Sequence, residues 1–256
     1  MTQVDLVDHA FDAYAALDLK SVALLLDVDG TLIDIGPSPY EVHVPKELCR
    51  SLERLVELTD GALALISGRP IAGLDRLFSP LKFSAVGGHG AEMRVNGTAV
   101  RHHIRPLPKA MRERIAKSAP QGVLIEDKGY SIALHYRGVP VGKDKLLQLL
   151  AEVGAAYPKE QVEILPGKEM LELKRAGTNK GEAVRTLMTL EPFEGRTPVF
   201  IGDDVTDESV FSILPEMGGE TFSVGRAFNG LTAIFDSPAS VRAVLAQLAG
   251  QQNGTD

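Results

Sequence analysis

The sequence predicts an α/β fold: a parallel-sheet core built from both ends of the chain and interrupted by an α+β insertion. Three observations predict it. Short all-apolar runs near the amino terminus stop abruptly at acidic or glycine-containing turns. The same pattern returns after residue 177. Between the two halves, apolar and polar residues alternate instead. Runs that are apolar on both faces suit strands buried inside a parallel sheet, whereas alternation suits antiparallel hairpins.

Val4, Val7, Phe11 and Tyr14 recur at helical spacing, so residues 3–17 are expected to form an amphipathic helix. Val22 to Leu26 is expected to be a buried strand that ends at Asp27-Val-Asp-Gly-Thr31. Pro45 suits the first turn of a helix whose apolar stripe is Leu48, Leu52, Leu55 and Val56. A second strand, Ala62 to Ile66, ends at Ser67-Gly-Arg69, which completes a βαβ pattern. In the middle of the chain, residues 122–138 and 161–174 read as hairpins, beside helices at 108–118 and 143–153. After them come a helix from Lys180 to Met188 and a strand from Pro198 to Ile201, which ends at Gly202-Asp-Asp-Val-Thr-Asp207. A strand at Thr221 to Val224 and a helix from Ser237 to Leu248 close the core. The expected division is a core of residues 1–105 and 177–256 with an insertion at 106–176. The tail from Gly250 to Asp256 is expected to fray.

Composition narrows the function. The chain has 256 residues, 44% hydrophobic and 24% charged, which supports a packed core and excludes a wholly disordered protein. With 27 basic and 34 acidic residues the net charge is −7, which argues against a dedicated nucleic-acid binder. An anionic substrate stays possible, because a bound cation inverts the field of one site. Cys49 is the single cysteine, so no internal disulfide forms, and it reads as a small buried hydrophobe in a reducing compartment. The amino terminus lacks the basic and apolar regions of a signal peptide, and no uninterrupted apolar run approaches the roughly 18 residues of a membrane span. The expectation is a cytoplasmic monomer with neither nucleic-acid nor membrane partners.

Ligands of open α/β sheets bind beyond the carboxyl ends of the strands. Asp27 and Asp29 stand there, two apart on a turn, and Gly30 allows a close backbone approach. Asp203, Asp204 and Asp207 follow a second strand. If the two strands are neighbours, these carboxylates converge and repel one another by several kcal/mol at about 4 Å unless a cation intervenes. Oxygen-only ligands favour a hard cation, Mg²⁺ before Ca²⁺. The alternative is a helix start, with Asp203 or Asp204 capping and Asp207 and Glu208 favouring the dipole. Ser67 and nearby N–H groups at a helix start suit a phosphate oxygen. Lys180 begins a helix, where the dipole disfavours a cation, so an anionic partner would account for it. A simple N-cap and a solvated lysine are the alternatives for these two. His102 and His103 read as a polar loop. No G-x-x-x-x-G-K-[ST] loop is present, so the parts describe phosphoryl transfer without a nucleotide. A carboxylate is the remaining economical nucleophile.

The order Asp27-Val-Asp-Gly-Thr31, Ser67, Lys180, Gly202-Asp-Asp-Val-Thr-Asp207 resembles the four motifs of the haloacid dehalogenase superfamily of phosphatases. More narrowly, the chain resembles the trehalose-6-phosphate phosphatase family. The strings that carry this are Ile66-Ser-Gly-Arg69, Gly88-His-Gly-Ala-Glu92, Glu126-Asp-Lys-Gly129, His135-Tyr-Arg137, Pro166-Gly-Lys168 leading to Glu172, and Gly177-Thr-Asn-Lys-Gly-Glu182.

The resemblance implies a Rossmann-like core, a mobile cap inserted between Ser67 and Lys180, a sugar-phosphate substrate and Mg²⁺. It implies Asp27 as nucleophile and Asp29 as general acid and base, with Ser67 and Lys180 holding the transferring group. The implied metal residues are Asp27, Asp29 through its backbone carbonyl, Asp203 and Asp204. Asp204 and Asp207 would orient Lys180 or metal-bound water. The implied substrate contacts are Asp27, Val28, Asp29, Gly30, Thr31, Gly68, Arg69, His89, Glu126, Lys128, Lys168 and Glu172. Competing expectations are a phosphatase for sucrose, mannosylglycerate or hexose phosphates, a phosphomutase, and an inactive regulatory module of the same fold.

Overall fold

The computed structural model describes residues 3–36, 41–97, 101–102, 104–140, 142–167 and 169–250. Lys168, His103 and the tail beyond Gly250 lie outside them. The chain forms two compact units, Met1–Arg101 with Asn179–Asp256, and His102–Thr178.

The amino-terminal half contributes α1 (Gln3–Ala15), β1 (Val22–Leu26), α2 (Lys46–Leu58), β2 (Leu63–Ile66), α3 (Ile71–Leu77), β3 (Ser84–Gly87), β4 (Glu92–Arg94) and β5 (Arg101–His102). The middle contributes α4 (Lys109–Ser118), β6 (Leu124–Asp127), β7 (Ser131–His135), α5 (Lys143–Ala156), β8 (Val162–Gly167) and β9 (Met170–Arg175). The last part contributes α6 (Lys180–Leu187), β10 (Thr197–Gly202), α7 (Glu208–Phe211), β11 (Glu220–Val224), β12 (Ala233–Phe235) and α8 (Pro238–Leu248).

The larger sheet runs β12-β11-β10-β1-β2-β3-β4-β5. It is parallel from β12 to β3 and turns antiparallel at β4. All five residues of β1 are buried, as an apolar central strand requires. Its side chains divide between the two faces. Leu24 and Leu26 join the core beneath α1, α2 and α8, while Ala23 and Leu25 join Val184, Leu187 and Phe211 on the other face. Tyr14 of α1 is fully buried, edge-on to Phe222 at 5.1 Å and Phe235 at 5.9 Å. Cys49 is half-buried rather than buried, because it sits at the margin of the helix face that packs on the core.

The second unit is a four-stranded antiparallel sheet in the order β6-β7-β9-β8. Ile132, Leu134, Leu171 and Leu173 face α4 and α5 and form its core with Met111, Ile115, Leu146 and Leu150. On the opposite face Glu126, Ala133 and Glu172 stand side by side across three strands. No helix among the described residues is long and apolar enough to cross a membrane.

Candidate active site

Parallel pairing of Leu26 with Ile201 brings the carboxyl ends of β1 and β10 together. Asp27 follows one end and Asp203 the other. The chain after Asp27 folds back on itself, with the N–H groups of Leu32 and Ile33 donating to the Val28 carbonyl at 3.0 Å. Gly30 sits in this turn with φ +86°, and a Cβ there would stand 2.2 Å from Asp203 Oδ2. Only glycine fits both the dihedral and the space.

Asp207 is fully buried and turned inward by its own backbone. Its Oδ2 accepts from the N–H groups of Asp203 at 2.9 Å and Asp204 at 3.0 Å. The Asp204 side chain in turn caps Val205 N at 2.8 Å. The helix-start reading of these aspartates therefore holds together with the convergence reading. The capping arrangement fixes the loop, and the strand pairing delivers it beside Asp27.

Lys180 is buried, which rules out the solvated lysine. Asn179 caps α6 by accepting from Glu182 N at 2.9 Å. The Lys180 ammonium donates to Asp27 Oδ1 at 2.7 Å and to Asp207 Oδ1 at 2.6 Å. Burial alone would depress its pKa, but Asp207 and Asp27 outweigh burial and keep it protonated.

One oxygen from each of Asp27, Asp203 and Asp207 lies within 4.8 Å of the others. Asp27 is held well above the usual carboxylate range, chiefly by burial, with Lys180 opposing and Asp207 and Asp203 adding to the rise. Burial, then Asp207 and Asp204, push Asp203 up to about 7. One lysine thus faces three clustered carboxylates. The excess negative charge and the oxygen-only donor set fit a hard divalent cation.

A carboxyl that binds its proton more tightly in the folded than in the unfolded chain destabilises the fold once it ionises. In metal-free protein, the contribution of Asp203 to stability is therefore expected to fall as pH rises from the ordinary value of 3.8 towards about 7. Thermal melts in chelator of the parent and Asp203→Asn check this contribution against the opposing carboxyls Asp60, Asp75 and Glu126: the variant's advantage should grow with pH, and an advantage that shrinks would contradict it.

Around the cluster, Arg69 engages Asp29 through a fork, with Nε to Oδ2 and Nη2 to Oδ1 both at 2.6 Å. Ser67 is buried at the end of β2, and its Oγ accepts from Arg69 N at 3.1 Å. It is not a helix cap. Helix α3 begins only at Ile71, whose N–H donates to the buried Glu92 carboxylate at 2.6 Å. His89 adopts φ +55° and its ring packs against Gly68. Val28 and Thr31 are buried, and the Thr31 hydroxyl lies 3.4 Å from Asp203 Oδ1. The Asp204 carboxylate reaches Arg226 at 3.4 Å, and Arg226 also donates to the Asp203 carbonyl at 3.1 Å. Arg226 escaped the sequence reading. It belongs to no motif, and its only signal is that it follows another strand, β11.

In the second unit, the Lys128 ammonium donates to both Glu172 oxygens at 3.2 and 3.1 Å. The two side chains are only 6% and 1% exposed. Glu126 pairs with His135 at 3.1 Å. Lys168 lies outside the described residues.

The family model described as trehalose-phosphatase matches residues 25–227. Over 210 residues the chain is 42% identical to the trehalose-6-phosphate phosphatase of Escherichia coli K12, which covers 79% of this chain and 77% of that protein. Over 237 residues it is 38% identical to a protein of Sinorhizobium fredii named "Probable trehalose-phosphate phosphatase", covering 91% of this chain and 89% of that one. The solved C-terminal domain of C. albicans trehalose-6-phosphate phosphatase matches with a TM-score of 0.76 at 23% identity, covering 98% of each chain. That last likeness is one of fold.

Proposed function

The chain belongs to the trehalose-phosphatase family, phosphoric monoester hydrolases of the haloacid dehalogenase superfamily, and from that premise we propose that it hydrolyses trehalose 6-phosphate to trehalose and phosphate through an aspartyl-phosphate on Asp27. The observation that carries the mechanism is the buried Lys180 ammonium on Asp27 Oδ1, which fixes a carboxylate at the end of a central strand beside Asp203.

In the first half-reaction an Asp27 oxygen attacks phosphorus, the bond from phosphorus to the sugar oxygen breaks, and Asp29 delivers a proton to that oxygen. In the second, Asp29 takes a proton from water, the water oxygen attacks phosphorus, and Asp27 leaves as a carboxylate. Arg69 grips both Asp29 oxygens, so at least one must pass from the arginine fork to the substrate before it can carry a proton. Ser67 and Lys180 hold the phosphoryl oxygens. Asp27, Asp203 and the Asp29 carbonyl are the groups that would hold Mg²⁺, since both Asp207 oxygens already accept from Lys180 and the loop backbone. When bound, the cation masks the carboxylates and draws charge from the phosphoryl group. Glu126, Lys128 and Glu172 read the sugar, because a phosphate site alone does not tell one sugar phosphate from another.

Release of inorganic phosphate from trehalose 6-phosphate, sucrose 6-phosphate and glucose 6-phosphate tests the reading. Trehalose 6-phosphate is expected to be strongly preferred. Equal rates would remove the disaccharide specificity, and no release from any of them would point to the inactive module. Activity is expected to vanish in chelator and return with Mg²⁺. Ca²⁺ should substitute poorly, because it takes about 6–8 ligands at longer distances. Full activity after metal stripping would overturn the role given to the carboxylate cluster.

A further inference from the structure

One face of β7 presents Ser131, Ala133 and His135 in succession, opposite the apolar Ile132 and Leu134 that face the helices. Ala133 pairs with Glu126 on one side and with Glu172 on the other. The two carboxylates thus flank a residue that offers only a methyl group. Each of them meets a polar side chain one step diagonally along β7. Ser131 is buried and its hydroxyl donates to Glu172 Oε1. The His135 ring lies 3.1 Å from Glu126 Oε2. Diagonal neighbours on one sheet face are within reach of such side chains.

We infer that Ser131 and His135 are positioning residues, which brace Glu172 and Glu126 in fixed rotamers for sugar recognition. The inference rests on the reading that Glu126, Lys128 and Glu172 contact the sugar. A carboxylate on a flexible side chain must surrender rotamer freedom when it binds a hydroxyl, and a brace made in advance removes that cost. The network is also a poor source of stability. Buried charged groups are stabilised only when their partners are complete, and apolar residues of similar size would often serve the fold as well. Burial works most strongly against the ionised form of Glu126. The hydrogen bond from His135 and the nearby Lys128 ammonium overcome it and hold the carboxyl below its usual range, with Glu172 opposing.

The test compares kcat/KM for trehalose 6-phosphate with kcat/KM for p-nitrophenyl phosphate, which has no sugar, and reads the ratio. Ser131→Ala and His135→Ala are each expected to lower the ratio about tenfold, as the loss of one hydrogen bond to a charged group implies. His135→Gln should recover most of the loss, because its amide can donate to Glu126. Glu126→Ala and Glu172→Ala set the scale, with at least about a tenfold fall each. If these two lower the ratio while Ser131→Ala and His135→Ala do not, the bracing role is overturned and the sugar reading stands. If Glu126→Ala and Glu172→Ala leave the ratio where it was, the sugar reading fails and the inference falls with it. Equal losses on both substrates in the Ser131 and His135 variants would make these residues merely structural. Should Ser131→Ala not fold, the His135 pair of variants decides alone.

Discussion

Asp27→Asn is expected to lower kcat for trehalose 6-phosphate by at least about a thousandfold while the fold stays intact. An amide does not attack phosphorus, and it brings no negative charge to a cation. The effect on stability should run the other way. Asp27 is buried against Asp203 and Asp207, and its ionised form is disfavoured in the folded chain. A neutral side chain of the same shape relieves that repulsion, although Lys180 then keeps only Asp207 as a charged partner. Tm in chelator is therefore expected to hold or rise, as it does when a strained functional group is neutralised. Turnover above about a tenth of the parent's would remove Asp27 as the nucleophile.

Lys180→Met is expected to lose both activity and stability. The substitution keeps much of the aliphatic length but takes the only ammonium from between Asp27 and Asp207. Breaking a buried ion pair from one side typically costs roughly 3–5 kcal/mol, because the remaining charge stays desolvated. Here two carboxylates are left. Part of the cost should disappear in mild acid, because burial already makes Asp27 hold its proton more tightly than usual and the variant removes the cation that opposes this, so the denaturation midpoint should fall more at about pH 7.5 than at about pH 5. The fall in kcat should reach at least about a hundredfold if the proposed mechanism holds, since it then loses the fixed positive group that would face the transferring oxygens. A variant with the parent's midpoint at both pH values would mean that Lys180 contributes no buried charge.

The contrast between what the sequence disclosed and what it hid has physical causes. Strands β1, β2 and β10 were legible because each is an apolar run cut off by polar residues. Strands β3 and β4 were not, and helix α3 was foreseen only as a helix start close to Ser67, whereas it begins at Ile71. Ser84–Gly87 is short and made mostly of small residues, and Glu92–Arg94 has a charge at each end yet is buried. Those charges are tolerated because Glu92 accepts from Ile71 N and Arg94 forks onto Asp75 and the Phe83 carbonyl. No spacing rule reveals such partners. In the site, Asp27, Asp203 and Lys180 were legible from their places at strand ends and a helix start. The orientation of Asp207 was not, because it depends on two backbone N–H groups of its own loop. The alternation in β9 was read as a hairpin with a polar face, but it does not disclose that Glu172 is almost completely buried.

The pairing of Val22 with Thr197 also governs how the molecule is made. On the ribosome, β1 emerges early and can gain β2 at one side. Its other side waits for β10, which is synthesised only after the whole second unit. During that interval the strand Val-Ala-Leu-Leu-Leu offers an open, uncharged edge, the kind of surface on which nascent chains stick to one another. The second unit has a hydrophobic core of its own and can fold while the larger sheet is still missing its centre. Pairing of such distant segments is slow to find. Assembly of the aspartate cluster therefore waits for β10, and a chain that stops short of it holds Asp27 and Lys180 without Asp203 and Asp207, the carboxylates that share the site.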